Sequence, residues 1–107
     1  MWSNTGIRLA TATFTGDTAS GWQQVIFSSA VAITANTVYV VSYHTNTGNY
    51  AYTLAYFASS GRDAPPLHAL ANGVSGGNGV YRLGASAFPS SSYNSTNFWV
   101  DVVFRPE

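Results

Sequence analysis

Few side chains of this sequence can carry out acid–base chemistry. Its 107 residues include two histidines, three aspartates and one glutamate, and there is no cysteine. Only His44, Asp63 and His68 suggest a cluster, in which Asp63 would orient the imidazole of His68 close to His44. Such a cluster would serve a hydrolase or a lyase. Because the supply of acids and bases is so small, we expect a protein that is not an enzyme and keep this cluster as an alternative.

Metal binding is suggested only by scattered aspartates. Carboxylate and carbonyl oxygens are the ligands that Ca²⁺ takes, and Asp17, Asp63 and Asp101 could each supply one. The three aspartates do not form a calcium-binding motif, so we expect no cofactor and keep Ca²⁺ as an alternative. A zinc site built on His44 and His68 lacks a third ligand.

Aromatic side chains are the most suggestive feature of the sequence. There are three Trp, seven Tyr and six Phe, and flat rings beside amide and charged groups are what sugar rings stack on and hydrogen-bond to. Tyr50 and Tyr52, two residues apart on a predicted strand, would share a face and form a small platform. The alternative is that such tyrosines belong to the core and expose only their hydroxyl groups. The predicted ligand-binding residues are His44, Asn49, Tyr50, Tyr52, Arg62, Asp63, His68, Tyr81 and Arg82.

Charge excludes several classes of partner. Only 7% of the residues are charged, the formal net charge is zero, and all four positive charges are arginines. Nucleic-acid binding needs clustered cations, as does attraction to an anionic membrane surface. The chain also lacks an apolar run long enough for membrane insertion and a signal peptide at its start. Its Ser/Thr/Asn-rich character fits a secreted or cell-surface location, so we expect a mature fragment without its signal peptide.

Alternating side chains predict the elements that would position these residues. Residues 37–44 alternate with period two and are apolar on both faces, which is typical of a central strand. Strands are predicted at residues 7–14, 22–27, 37–44, 50–57, 80–83 and 98–104. Six short strands with Gly/Asn/Ser-rich turns predict a single all-β domain over residues 1–107, an antiparallel β-sandwich or jelly roll. The predicted core includes Phe14, Phe27, Tyr39, Phe98 and Phe104.

A long loop is predicted between the fourth and fifth strands, at residues 58–79. Loops of this length are often functional. Pro65 and Pro66 prevent a helix from starting before Leu67, and residues 67–71 could form one helical turn.

Six segments carry a family resemblance. They read LATATFTG (9–16), SGWQQV (20–25), YVVSYH (39–44), PLHAL (66–70), GGNGVYR (76–82) and NFWVDVVF (97–104). Together they resemble DUF4082, a bacterial family of β-sandwich modules of uncharacterised function, over almost the whole chain. The resemblance implies a module that recurs in large secreted or surface proteins beside immunoglobulin-like, fibronectin-like and carbohydrate-active domains.

The resemblance also suggests an oligomer. The family pattern includes further strands upstream of an L-W-x-x-x-G element, and this sequence begins inside that element, at residues 1–6. Strands without their neighbours leave unpaired edges that favour self-association. We therefore expect a homo-oligomer, with a self-sufficient monomer as the alternative.

Taken together, these patterns indicate a non-catalytic accessory module of a secreted or surface bacterial protein that binds polysaccharide or another glycan through exposed aromatic and amide side chains. The alternative is a structural or self-assembly domain whose aromatic surface is an oligomer interface. A hydrolase or lyase that uses His44, Asp63 and His68 is the second alternative.

Overall fold

The structure is a computed structural model that describes residues 1–15, 21–45 and 50–106. Within these ranges there is no helix, and all strand pairs are antiparallel. The all-β prediction is therefore confirmed. The strands are β1 (Trp2–Ser3), β2 (Tyr39–Val40), β3 (Arg62–Ala64), β4 (Leu67–Ala69), β5 (Val80–Tyr81) and β6 (Ser91–Ser92). They form three two-stranded sheets, β1–β2, β3–β4 and β5–β6.

The chain divides into two compact units, of which the first is Met1–Val40. Here β1 and β2 pair in the register Trp2 with Val40 and Ser3 with Tyr39. A tight turn follows β1, in which the amide of Ser3 donates to the carbonyl of Ile7 at 2.8 Å and the Ser3 hydroxyl accepts from the Ile7 amide at 3.1 Å. This turn brings Arg8 back into a bridge with Trp2.

The second unit, Val41–Glu107, contains the other two sheets. Arg62–Ala64 and Leu67–Ala69 form a hairpin whose turn is Pro65-Pro66, joined by a cis peptide bond. Val80–Tyr81 pairs with Ser91–Ser92. Outside these two sheets, Thr53 and Asn97 form an isolated bridge in which each amide donates to the other residue's carbonyl, at 2.9 and 3.0 Å.

The interior of the second unit lies at Phe57 and Thr96. Both are buried, and only 1% of Thr96 is exposed. The Thr96 hydroxyl donates to the carbonyl of Tyr93 at 2.6 Å, and the Phe57 amide donates to the carbonyl of Ser95 at 2.9 Å. The Phe57 carbonyl in turn accepts from the amide of Asn72 at 2.8 Å. Backbone hydrogen bonds therefore hold three separate segments of this unit around one point.

The strands are shorter than predicted. Of the predicted central strand at residues 37–44, only Tyr39–Val40 is a strand, and residues 7–14 and 50–57 contribute only the bridges at Arg8 and Thr53. Residues 22–27 and 98–104 contain no strand. Alternation reports which way side chains point, whereas a strand also needs a partner edge at hydrogen-bonding distance. The alternation itself is present at residues 22–27, where exposed and half-buried side chains follow one another.

Three further predictions are wrong. Residues 67–71 do not form a helical turn, because Pro65-Pro66 reverses the chain and sends Leu67–Ala69 back along Arg62–Ala64 as β4. Residues 58–79 are accordingly not a simple loop between the predicted fourth and fifth strands, since they contain this hairpin. Phe14 and Phe104 were predicted in the core but are exposed.

No helix in the described ranges has the length and apolar character needed to cross a bilayer.

Candidate functional site

Five aromatic residues of the second unit form a group that we call the tyrosine cluster. Its members are Tyr43, Tyr50, Tyr52, Tyr81 and Phe98. The ring of Tyr50 has its centroid 5.7 Å from that of Tyr52 and 5.7 Å from that of Phe98. Tyr81 packs on the same phenylalanine at 6.5 Å. The hydroxyl of Tyr43 donates to the carbonyl of Phe98 at 3.0 Å.

Two backbone pairings position these rings. The antiparallel bridge between Thr53 and Asn97 brings together the segment that carries Tyr50 and Tyr52 and the segment that carries Phe98. Tyr81 is held in β5 by its pairing with Ser91. The cluster is therefore built from segments that are distant in sequence and meet at Phe98.

Tyr50 and Tyr52 present their rings to solvent. They are 52% and 58% exposed, whereas Phe98 and Tyr81 are half-buried. The planes of the two exposed rings are inclined by 51°, and that of Tyr50 meets Phe98 edge-on at 64°. Within the described part of the chain, the hydroxyls of Tyr50 and Tyr52 have no hydrogen-bond partner, which leaves them available to a ligand.

The surroundings of Tyr43 change the ionisation of its hydroxyl group. Burial raises the pKa of this phenol above its ordinary value, and the neighbouring Tyr50 raises the pKa further. The neutral hydroxyl is the form that can donate to the carbonyl of Phe98. Desolvation and hydrogen bonding therefore both favour the protonated phenol.

Tyr56, Phe57 and Trp99 form a second aromatic group. Tyr56 packs edge-on against Phe57 at 4.9 Å and against Trp99 at 5.4 Å. The indole Nε1 of Trp99 donates to the hydroxyl of Thr53 at 2.9 Å. Ala55 has φ of 58°, which interrupts the alternation of the strand after Tyr52. Tyr56 therefore joins this second group and does not extend the tyrosine cluster.

The predicted Asp63 and His68 pair is present. The two residues are directly opposite each other in the β3–β4 hairpin, and Nδ1 of His68 lies 2.8 Å from Oδ1 of Asp63. Both side chains are more than half exposed. An ion pair in this setting is screened by water and contributes little to stability.

The structure brings the other predicted site residues together only in part. Tyr50, Tyr52 and Tyr81 join the tyrosine cluster, while Arg62 is in β3 opposite Ala69. His44 and Arg82 are exposed, and Asn49 lies outside the described residues.

Comparison with known families adds one finding. Residues 1–100 match the family model described as a domain of unknown function, DUF4082. The chain belongs to the DUF4082 family. The resemblance seen in six sequence segments is thereby confirmed. No curated protein and no solved structure matched the chain.

The aspartates of this DUF4082 domain do not assemble in the part that the structure describes. Asp17 lies outside that part, Asp63 contacts His68, and Oδ1 of Asp101 accepts from the Val102 amide at 2.8 Å. The described ranges contain no group of three His, Asp or Glu side chains placed to hold a metal, and His44 therefore does not complete such a group with Asp63 and His68. Calcium binding stays an untested alternative.

Residues 73–77 carry a Gly-x-Ser-x-Gly pattern with Ser75 at its centre. In α/β-hydrolases this pattern places a serine on a sharp turn between a strand and a helix. Here it forms a turn in which the Gly73 amide donates to the carbonyl of Gly76 at 2.8 Å, and no helix follows in the described residues. Ser75 makes no hydrogen bond to a histidine or carboxylate there. The pattern therefore lacks the geometry of a catalytic serine.

Sequence reasoning missed two members of the tyrosine cluster. Phe98 was expected in the core and Tyr43 in a central strand, and neither was assigned to the site. The sequence signal for them was weak, because their contacts depend on which segments pair. The only available signal was the repeated aromatic character of the segments around residues 43, 50 and 98.

Proposed function

We propose that this DUF4082 domain is a non-catalytic module that binds polysaccharide or another glycan through the tyrosine cluster. One observation carries the proposal. Tyr50 and Tyr52 expose adjacent rings whose centroids are 5.7 Å apart, and the half-buried Phe98 packs against Tyr50. Exposed, grouped aromatic rings are uncommon on a surface that serves no binding purpose.

The chemistry of these rings suits sugars. An aromatic face carries negative charge density that attracts the polarised C–H groups on the apolar face of a pyranose. The available hydroxyls of Tyr50 and Tyr52 can exchange hydrogen bonds with sugar hydroxyls. The proposal also includes an amide side chain that hydrogen-bonds to the sugar, and this is Asn49, which precedes Tyr50 in sequence. The amide oxygen of Asn97 already accepts from the amide of Trp99 at 2.6 Å.

The exposure of the Asp63 and His68 pair supports a non-catalytic role. Acid–base catalysis gains much of its strength from a site that excludes water and fixes its dipoles. Both members of this pair face solvent, and the histidine has no serine or cysteine nucleophile bonded to it in the described ranges. The hydrolase or lyase alternative therefore has less support than binding.

The wider setting of the module is part of the proposal. The family resemblance supports a place in a secreted or surface bacterial protein. The antiparallel pairing of all three sheets supports an antiparallel sandwich of jelly-roll type for the module as a whole.

Glycan binding is tested by affinity electrophoresis in gels that contain soluble polysaccharides, followed by titration calorimetry with those that retard the chain. We expect Tyr50→Ala and Tyr52→Ala each to weaken binding by about tenfold or more, because covering an aromatic side chain is worth ~1.5–3 kcal/mol and ~1.4 kcal/mol is a factor of ten. The matched control is Tyr93→Ala, since Tyr93 is also 58% exposed but lies outside the cluster. Equal losses in all three variants, or no retardation by any polysaccharide, would contradict the proposal.

A second candidate function is self-assembly, and a different observation favours it. Leu83, Ile26 and Val103 are 86%, 80% and 80% exposed. These aliphatic side chains are not part of the tyrosine cluster, so glycan binding gives no reason for their exposure. A homo-oligomer in which other copies cover exposed aliphatic side chains of each unit would explain their exposure, and its test is given in the Discussion.

A further inference from the structure

From the ring geometry, we infer that the tyrosine cluster accepts a single glycan chain whose successive sugars are turned relative to one another, and not the flat face of a crystalline polysaccharide. The inference rests on the proposed function and specifies its ligand class. It depends on the relative orientation of the two exposed rings and on the contacts that hold them.

The angle between the exposed rings excludes a flat ligand. A crystalline polysaccharide presents its sugars as a plane, and several rings can stack on a plane only if they are themselves nearly coplanar. The rings of Tyr50 and Tyr52 are inclined by 51°. When one of them lies flat on a plane, the other meets the plane at a steep angle and loses most of its stacking contact.

The same angle suits a twisted or bent chain. Two neighbouring sugars of a single chain can rotate about their glycosidic linkage, so that each presents its apolar face in a different direction. A centroid separation of 5.7 Å is short enough for both rings to contact neighbouring parts of one such ligand. The hydroxyls of both tyrosines are available to bond the sugar edges.

The supporting residues oppose a change to a coplanar arrangement. Tyr50 meets Phe98 edge-on, a favourable orientation for aromatic pairs. Phe98 is itself in contact with Tyr81, and its carbonyl accepts from the hydroxyl of Tyr43. Turning the Tyr50 ring towards the plane of Tyr52 would disrupt the edge contact with Phe98. Tyr81 does not supply a second exposed ring for a flat binding surface, because its ring is half-buried and inclined by 54° to Phe98.

The experiment compares physical forms of the same sugar polymer. The chain is incubated with microcrystalline cellulose and with amorphous cellulose prepared from it, with crystalline and amorphous chitin, and with soluble xylan and mixed-linkage glucan in affinity gels. We expect binding to at least one soluble or amorphous polymer, with at least tenfold less binding per accessible surface to the crystalline form. Tyr50→Ala and Tyr52→Ala should abolish this preference together with the binding, while Tyr93→Ala should keep both.

The outcomes separate the two proposals. Binding to crystalline polymer as strong as to the amorphous form, and lost in Tyr50→Ala, would overturn the inference and leave the proposed glycan-binding function standing. Absence of binding to all six polymers would contradict the proposed function, and the inference with it. A retained preference in the Tyr50→Ala and Tyr52→Ala variants would show that other residues select the ligand and would also overturn the inference.

Discussion

At the scale of single residues, Tyr43 links the exposed rings to the backbone. Its hydroxyl group donates to the carbonyl of Phe98, and its pKa is raised first by burial and then by Tyr50. The residue therefore contributes both a hydrogen bond at neutral pH and a dependence of stability on alkaline pH.

Tyr43→Phe removes this hydrogen bond and keeps the ring. We expect it to lower the free energy of unfolding at neutral pH by ~1 kcal/mol, the net value of a typical intramolecular hydrogen bond. Because the folded-state pKa of Tyr43 is above the unfolded value of 10.0, its contribution is complete below that pH and is lost as pH rises through the folded pKa. Urea unfolding from neutral to alkaline pH measures both effects.

The control for Tyr43 is Tyr93→Phe, whose hydroxyl is exposed. Stability of Tyr43→Phe should decline less steeply in alkali than that of the parent chain, and phenolate absorbance should lose a component that titrates above the ordinary pKa of tyrosine. An unchanged alkaline decline would show that Tyr43 does not ionise differently in the folded chain.

At the scale of elements, β5 depends on a close approach of two backbone segments. Gly79, just before β5, has φ of 81°, and a Cβ added to it would lie 2.5 Å from the backbone nitrogen of Thr96. The carbonyl of Gly79 also accepts from the amide of Tyr93 at 3.2 Å. This contact sets the position of Tyr81 relative to Phe98.

Gly79→Ala and Gly84→Ala separate backbone strain from crowding. Gly84 also has positive φ, 97°, but an added Cβ there meets no atom within 4 Å. We expect Gly84→Ala to cost ~1–2 kcal/mol of unfolding free energy for the left-handed backbone, and Gly79→Ala to cost ~1–3 kcal/mol more for the clash. Denaturant unfolding of both variants measures the difference. If both variants lost the same unfolding free energy, the backbone near Thr96 would be able to move away from the added Cβ without a loss of stability.

At the scale of the whole molecule, exposed apolar residues and low charge favour association. The formal net charge is zero, so copies do not repel one another. Large aliphatic side chains such as Ile26 and Val103 are mostly exposed. These two properties together are what lead us to propose a homo-oligomer.

Light scattering over a wide range of concentrations tests this association. We expect the parent protein to have a mass above that of the single 11.4 kDa chain. The variants Ile26→Thr and Val103→Thr, which keep β-branched side chains but add a hydroxyl, should have a mass closer to that of a single chain. Tyr50→Ala is the matched control, expected to lose glycan binding and keep the parent mass. A mass of one chain at every concentration would exclude the oligomer.

The sequence predicts contacts between side chains that are close in sequence better than it predicts which distant segments pair through their backbones. Alternation correctly brings Tyr50 and Tyr52 together, and the suggested contact of Asp63 with His68 is present, although in a hairpin where a loop was predicted. The strand lengths, and the contacts of Phe98, depend on partners far along the chain. Ala55 and Trp99 have positive φ, which these residue types rarely adopt, so their sequence gives no warning of the change in direction.

The long-range construction of the tyrosine cluster has a consequence for how the domain folds. Tyr43 and Phe98 are 55 residues apart, and Thr53 and Trp99 are 46 apart. Closing such loops costs chain entropy before any contact compensates for it, which slows folding. During synthesis, the contact between Tyr50 and Phe98 cannot form until residues 97–99 have left the ribosome. The tyrosine cluster is therefore completed only after the segment that contains Phe98 has been synthesised.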